Sequence, residues 1–328
     1  MKRSGLRSRS FLCLITLVSN SRSNTSVAPH LALIAVQILF ATWPIVGKVA
    51  LRTIPAFALV GFRVAGATVL LVGFARLRGQ LKPIRREDWP LLVISSALGL
   101  VFNQWLFVTG LSWTTAINST LISTSIPVAT LLVGIVLGTD RATWRRIVGI
   151  AVSAAGVLML IGPGHASFST ATRAGDLLIV ANSFCYGAYI AVSKDIVRRY
   201  SALNVITWIF VIASIATIPV GVYSLSKISV SEISIGVWLA VAYIIILPTA
   251  GAYFLNAWAL ARVPPSTVAV YIYLQPLFAF VLAPIVLGEA LSPRAIVSSL
   301  LIFAGVLVVT RRRKLRAEVT SRDQVVIS

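Results

Sequence analysis

The sequence predicts an all-α integral membrane protein, ten transmembrane helices arranged as two inverted five-helix repeats. Three observations predict it. First, of 328 residues 58% are hydrophobic and only 12% charged, and mean hydropathy is +0.92. A soluble domain carries about 25% charged residues, so this chain lacks the side chains to coat a globule. Second, apolar runs of spanning length recur along it. In a bilayer such runs are helices, because a helix satisfies its own backbone. Third, Ile126–Leu160 aligns without a gap on Gln275–Val309 at an offset of 149. Pro127 falls on Pro276, Arg145 on Arg294, Asp140 on Glu289, and the AGVL of Ala155–Leu158 on Ala304–Leu307. A period near half the chain denotes one duplicated unit, not a solenoid.

The elements follow in order. Residues 1–30 form a basic, Ser-rich tail with one apolar patch, Phe11–Val18, too short to span. It is similar to the start of a signal peptide, but a full span follows at once, and a retained cytoplasmic anchor is the expectation. The first repeat, 31–162, holds spans 31–51, 55–75, 90–110, 115–138 and 144–162. The second, 175–310, holds 175–195, 203–223, 236–258, 266–287 and 293–310. Pro, Gly and charge mark the joints, and the turn Ser112–Thr115 is short enough to make spans 3 and 4 a tight hairpin. Residues 311–328 are a basic tail.

Orientation follows from Lys and Arg, which concentrate on the cytoplasmic side. With the N-terminus inside, 23 of the 29 lie in inside segments and five in outside ones; Arg63 lies within span 2. Both termini are expected in the cytoplasm, with the protein multi-pass in the cell membrane. An odd number of spans per repeat sends the second copy in from the opposite face. That inverted arrangement is one used by secondary transporters, with a substrate site near the midplane between the halves. The net charge of +20 lies in these loops and tails, so it speaks for the bilayer surface and not for nucleic acid.

These residues resemble the EamA family of the drug/metabolite transporter superfamily. The marks are Pro127 with Asp140, Pro276 with Glu289, the two AGVL segments, Gly175–Asp176, Phe62–Arg63, and FVTGL (Phe107–Leu111) matched by NAWAL (Asn256–Leu260). The family more often has Glu where this chain has Asp140. The resemblance covers nearly all of the membrane part. It implies movement of small metabolites, amino acids among them, and an exporter is the expectation; it does not fix the substrate.

A polar group in a bilayer must be paired or face a cavity. Asn182, Tyr186 and Tyr189 lie on one face of span 6, matched on span 1 by Val36, Phe40 and Trp43. Asn103 and Phe107 on span 3, with Asn118, Ile122 and Ser125 on span 4, make a second face. Tyr253 and Asn256 on span 8, with Tyr271 and Gln275 on span 9, are its counterpart. Amides and aromatic faces suit a zwitterionic or neutral metabolite; interhelical bonding is the alternative use of the same groups. Arg63, the one full charge well inside a span, reads either as counter-ion to a substrate carboxylate or as a snorkelling side chain bonded to helix-end carbonyls. Asp140 and Glu289 read as loop partners of Arg145 and Arg294. All nine acids fall in loops, tails or span ends, which suggests a carrier without a buried acid. The repeated prolines, Pro127 and Pro276, are expected hinges.

No metal or cofactor is expected. Cys13, Cys185, His30 and His165 have no ligand spacing, and no GxxxxGK[ST] loop is present. Gly149 and Ser153 form a small-residue face that permits a homodimer, or packing within one chain. A secondary carrier of a small molecule is the first reading. An intramembrane lipid-modifying enzyme, which would need catalytic groups at the membrane face, and a non-transporting scaffold are the alternatives.

Overall fold

A computed structural model describes residues 27–138, 143–161, 170–263, 268 and 271–310. Among these the chain is helical throughout, with turns and no strand. Seven helices are long and apolar enough to cross a membrane: α1 (Val27–Leu51), α2 (Ala56–Leu77), α3 (Arg86–Trp113), α4 (Ala116–Val136), α6 (Ala171–Arg199), α7 (Ala202–Leu225) and α8 (Ile235–Leu260). Three further apolar helices have shorter cores: α5 (Trp144–Ile161), α9 (Ile272–Leu287) and α10 (Pro293–Thr310). They fall within the stretches predicted as spans 5, 9 and 10, but their apolar cores are shorter than those of the seven. Asp140, Cys13 and His165 lie outside the described residues.

Without a hydrophobic effect between helices in lipid, close approach of backbones holds them together. Glycine supplies it where α2 crosses α7: a methyl added to Gly61 would stand 2.9 Å from the Gly221 Cα. α10 lies along α5, with Gly305 against the backbone at Gly149 and Ser153. The small-residue face of span 5 is therefore covered within the chain. α1 packs on α8 and α9, and α6 packs on α3 and α4, so the two hairpins α3–α4 and α8–α9 are bridged by single helices.

Both α3 and α8 pass through a π-helical stretch, Ala97–Phe102 and Ile245–Gly251. Such stretches re-aim the side chains that follow and concentrate at functional sites. α4 and α9 are also broken. Pro127 stands in the first turn of the segment Ile126–Val136, after a turn at Thr124–Ser125. Pro276 opens Gln275–Leu287 after the 3-10 turn Ile272–Leu274. At those positions proline sacrifices no helical hydrogen bond.

Polar ties close the ends. At one, Asp88 pairs with Arg199 and accepts from Tyr200 Oη at 2.7 Å, while Asn204 Oδ1 accepts from Lys82 N at 3.0 Å. At the other, the first N–H groups of α4 are all engaged. Thr115 Oγ1 accepts from Asn118 N at 3.0 Å, and the Glu289 carboxylate accepts from Ala116 N at 2.7 Å and Ile117 N at 3.0 Å. Glu289 is placed there by Gly288, whose φ of +68° ends α9 in the left-handed conformation. The predicted loop partnership of Glu289 with Arg294 thus gives way to a helix cap across the two hairpins.

Candidate functional site

The helices enclose a central cavity with about 700 Å³ of empty space, mouth included. α1 turns Gln37, Phe40, Trp43 and Pro44 toward it, the i, i+3, i+6, i+7 stripe of one helical face. α3 contributes Asn103, Gln104 and Phe107 just after its π stretch, and α8 contributes Tyr253 and Asn256 just after its own.

Arg63 of α2 reaches this cavity and is 1% exposed. Its Nε donates to Thr249 Oγ1 at 3.0 Å, and one terminal nitrogen donates to Gln104 Oε1. The guanidinium lies 3.6 Å from the centroid of the Trp43 ring, a desolvated cation–π contact worth about 2 kcal/mol. It bonds side chains deep in the bundle, so the snorkelling alternative does not hold. No carboxylate among the described residues pairs with it.

The network continues from Gln104. Its Nε2 donates to Tyr253 Oη at 2.7 Å and to Asn103 Oδ1 at 3.1 Å. Asn182 Nδ2 donates to the Asn103 carbonyl at 2.8 Å. Asn256 Nδ2 donates to Tyr186 Oη at 3.3 Å, and Gln275 Nε2 to Gln37 Oε1 at 2.6 Å. Phe40 and Phe210 meet the Tyr253 ring edge-to-face, with centroids 5.9 and 5.5 Å away.

Of the predicted site residues, the cavity brings together Trp43, Arg63, Asn103, Phe107, Asn182, Tyr186, Tyr253, Asn256 and Gln275. Four others stand apart from its lining. Asn118, near the start of α4, donates to the buried Asp176 carboxylate at 3.2 Å. Ser125 Oγ turns back to the Ile122 carbonyl at 2.7 Å. Tyr189 lies behind Tyr186, its ring 5.6 Å away and packed over Gly99. Tyr271 is tied by its hydroxyl to His30 Nδ1 at 2.7 Å. Helix geometry explains this: each is one or two residues from a lining residue (Thr120, Ile126, Ile190 or Ile272), and at about 3.6 residues per turn its side chain leaves from another side of the helix.

Asp176 corrects the expectation that every acid is peripheral. It is 1% exposed on α6 and bonded to Thr114 as well as Asn118. Gly175, against the Gly110 carbonyl, lets α6 come close enough to bury it. The sequence reading missed Gln37, Gln104 and Thr249. At the offset of 149 Gln104 aligns on Tyr253, so the repeat carried the signal for one of them.

The EamA-like transporter family model matches residues 28–162 and 173–311. The chain belongs to the EamA-like transporter family. An uncharacterized transporter of Archaeoglobus fulgidus is 27% identical over 287 residues, 87% of this chain and 98% of its own. A Streptantibioticus cattleyicolor protein named "Probable terminal-alkyne amino-acid exporter" is 28% identical over 263 residues, 78% of this chain and 85% of its own. The uncharacterized transporter YyaM of Bacillus subtilis is 24% identical, covering 74% and 79%. A solved crystal structure shares the fold at a TM-score of 0.61 and 19% identity, covering 88% of this chain and 98% of that one. The EamA-like chain is thus a multi-pass membrane protein of a transporter family.

Proposed function

We propose that this EamA-like protein is a secondary carrier that exports a small, amino-acid-like polar metabolite across the cell membrane by alternating access. It spans the bilayer ten times as two inverted halves, with both termini cytoplasmic. The observation that carries the reading is the bond between Gln104 and Tyr253, which are equivalent residues at the offset of 149, in the wall of one central cavity. Residues related by a two-fold axis meet at that axis, and an axis in the membrane plane would place the substrate site on it.

A second contact supports the same symmetry. Gly156 packs on Ile302, and Gly305 packs on Ser153; at the same offset, 153 aligns on 302 and 156 on 305. Such reciprocity, i on j and j on i, is the signature of a two-fold contact. Halves that can exchange conformations give inward- and outward-open states of similar energy. The exporter direction is taken from the name of the Streptantibioticus relative.

Counterflow in proteoliposomes loaded with a panel of amino acids tests the function. Exchange of one labelled amino acid, lost in Asn256→Ala and in Gln104→Ala, is expected. Tight vesicles that exchange none of the panel would refute the carrier of amino-acid-like solutes.

A further inference from the structure

We propose that Arg63 is the anchor for a carboxylate, and that the substrate of this cavity is therefore an acid or a zwitterion and not a cation or a neutral solute. The inference rests on the carrier reading and names its substrate class.

A guanidinium has five N–H donors in a planar fork that matches a carboxylate edge to edge. In Arg63 the Nε–H is given to Thr249 and one terminal N–H to Gln104. These two bonds fix the plane of the fork, and Trp43 stacks on one face of it. The remaining terminal N–H groups have no hydrogen-bond partner among the described residues, in a side chain that lines the cavity. The group is thus held rigid and desolvated, with three N–H donors left and no further acceptor among the described residues.

The surroundings do not supply that acceptor. The neighbouring polar atoms are the ends of a relay: Gln104 Oε1 takes from Arg63, and Gln104 Nε2 gives to Tyr253 and Asn103. Among the described lining residues none is acidic. The cavity therefore has one net positive charge away from water, where a charge interacts strongly and an unmatched one is costly. A carboxylate supplies both the missing acceptors and the missing charge. An ammonium-only solute would meet repulsion from the same group. The amide oxygens and aromatic rings further round the wall, at Asn256, Tyr186 and Phe40, remain for the rest of the solute.

The test compares carboxylic acids with their isosteric amides on the purified, unaltered chain: 3-phenylpropionate with 3-phenylpropanamide, L-phenylalanine with L-phenylalaninamide, and butyrate with butyramide. Thermal stabilisation measures binding. At least one acid should bind tenfold or more tighter than its amide. Arg63→Gln should erase that preference, and Arg63→Lys should keep only part of it, because lysine restores the charge but not the fork. Amides binding as well as acids, no acid binding at concentrations up to tens of millimolar, or an acid preference surviving in Arg63→Gln would each overturn the proposal. The wild-type comparison needs no variant, so a poorly folded Arg63→Gln does not protect it. Counterflow separates the two readings: exchange of neutral or cationic amino-acid derivatives without any acid preference sinks the anchor and leaves the carrier standing.

Discussion

Glu289 offers a perturbation whose size can be worked from the geometry. Its two carboxylate oxygens take the N–H groups of Ala116 and Ile117, residues 0% and 2% exposed. Those are two of the N–H groups that a helix start leaves without an internal partner. A buried donor stripped of its acceptor costs about 1–3 kcal/mol, and a carboxylate at a helix N-terminus contributes a further ~0.3–1 kcal/mol. Glu289 is itself half-buried, so water can reach part of the gap, and Glu289→Ala is expected to lose about 3 kcal/mol. Glu289→Gln keeps one acceptor oxygen and should lose about half of that. For a chain of this size ~2 °C of melting temperature corresponds to 1 kcal/mol, so shifts of about 6 °C and 3 °C are expected in detergent, read by loss of the folded peak in size-exclusion chromatography. An alanine variant melting within about 1 °C of the wild type would refute the claim that this carboxylate caps α4. Equal losses for alanine and glutamine would place the effect on the charge and not on the two bonds.

Three further outcomes follow from the same structure. Asp176→Ala should destabilise by about 2–4 kcal/mol, since it strands Thr114 and Asn118 in a buried site, while Asp176→Asn should cost less; urea unfolding curves would check the order. Gly305→Leu should force α10 off the Gly149–Ser153 backbone of α5 and cost at least ~1–3 kcal/mol, whereas Gly73→Leu, whose added Cβ meets nothing within 4 Å, should cost less than about 1 kcal/mol by the same melting assay. Pro127→Ala with Pro276→Ala should slow counterflow at least threefold with little loss of melting temperature, because both prolines follow a break in the helix; transport at the wild-type rate would rule out the hinge.

What the sequence could show was set by period and composition. Alternation of apolar runs with basic joints located the long helices, because a helix that faces lipid must be apolar for its whole length. The same rule said nothing about the π stretches at Ala97–Phe102 and Ile245–Gly251, whose residues are as apolar as their neighbours. A π stretch changes the angular phase of everything after it, which is how Gln104, one residue from the anticipated Asn103, comes to hold both Arg63 and Tyr253. Burial was equally hidden. Asp176 reads as a span-end acid and becomes a core residue only because Gly175 and Gly110 permit contact between α6 and the α3–α4 turn.

The repeat held more than was first taken from it. If the halves are related by the proposed two-fold axis, aligned residues that touch each other lie near it. Tyr253 with Gln104 is such a pair, bonded in the cavity wall. Arg63 breaks the pattern, because its partner at the same offset is Ile212. A strictly symmetric carrier would present two equivalent anchors or none. On the proposed reading, one guanidinium gives the cavity a polarity, so a bound solute would have a defined head and tail. A site of this kind recognises its solute by one end, and variation along the opposite wall, at Asn256, Tyr186 and Gln275, would then change which tails are accepted without changing the head group.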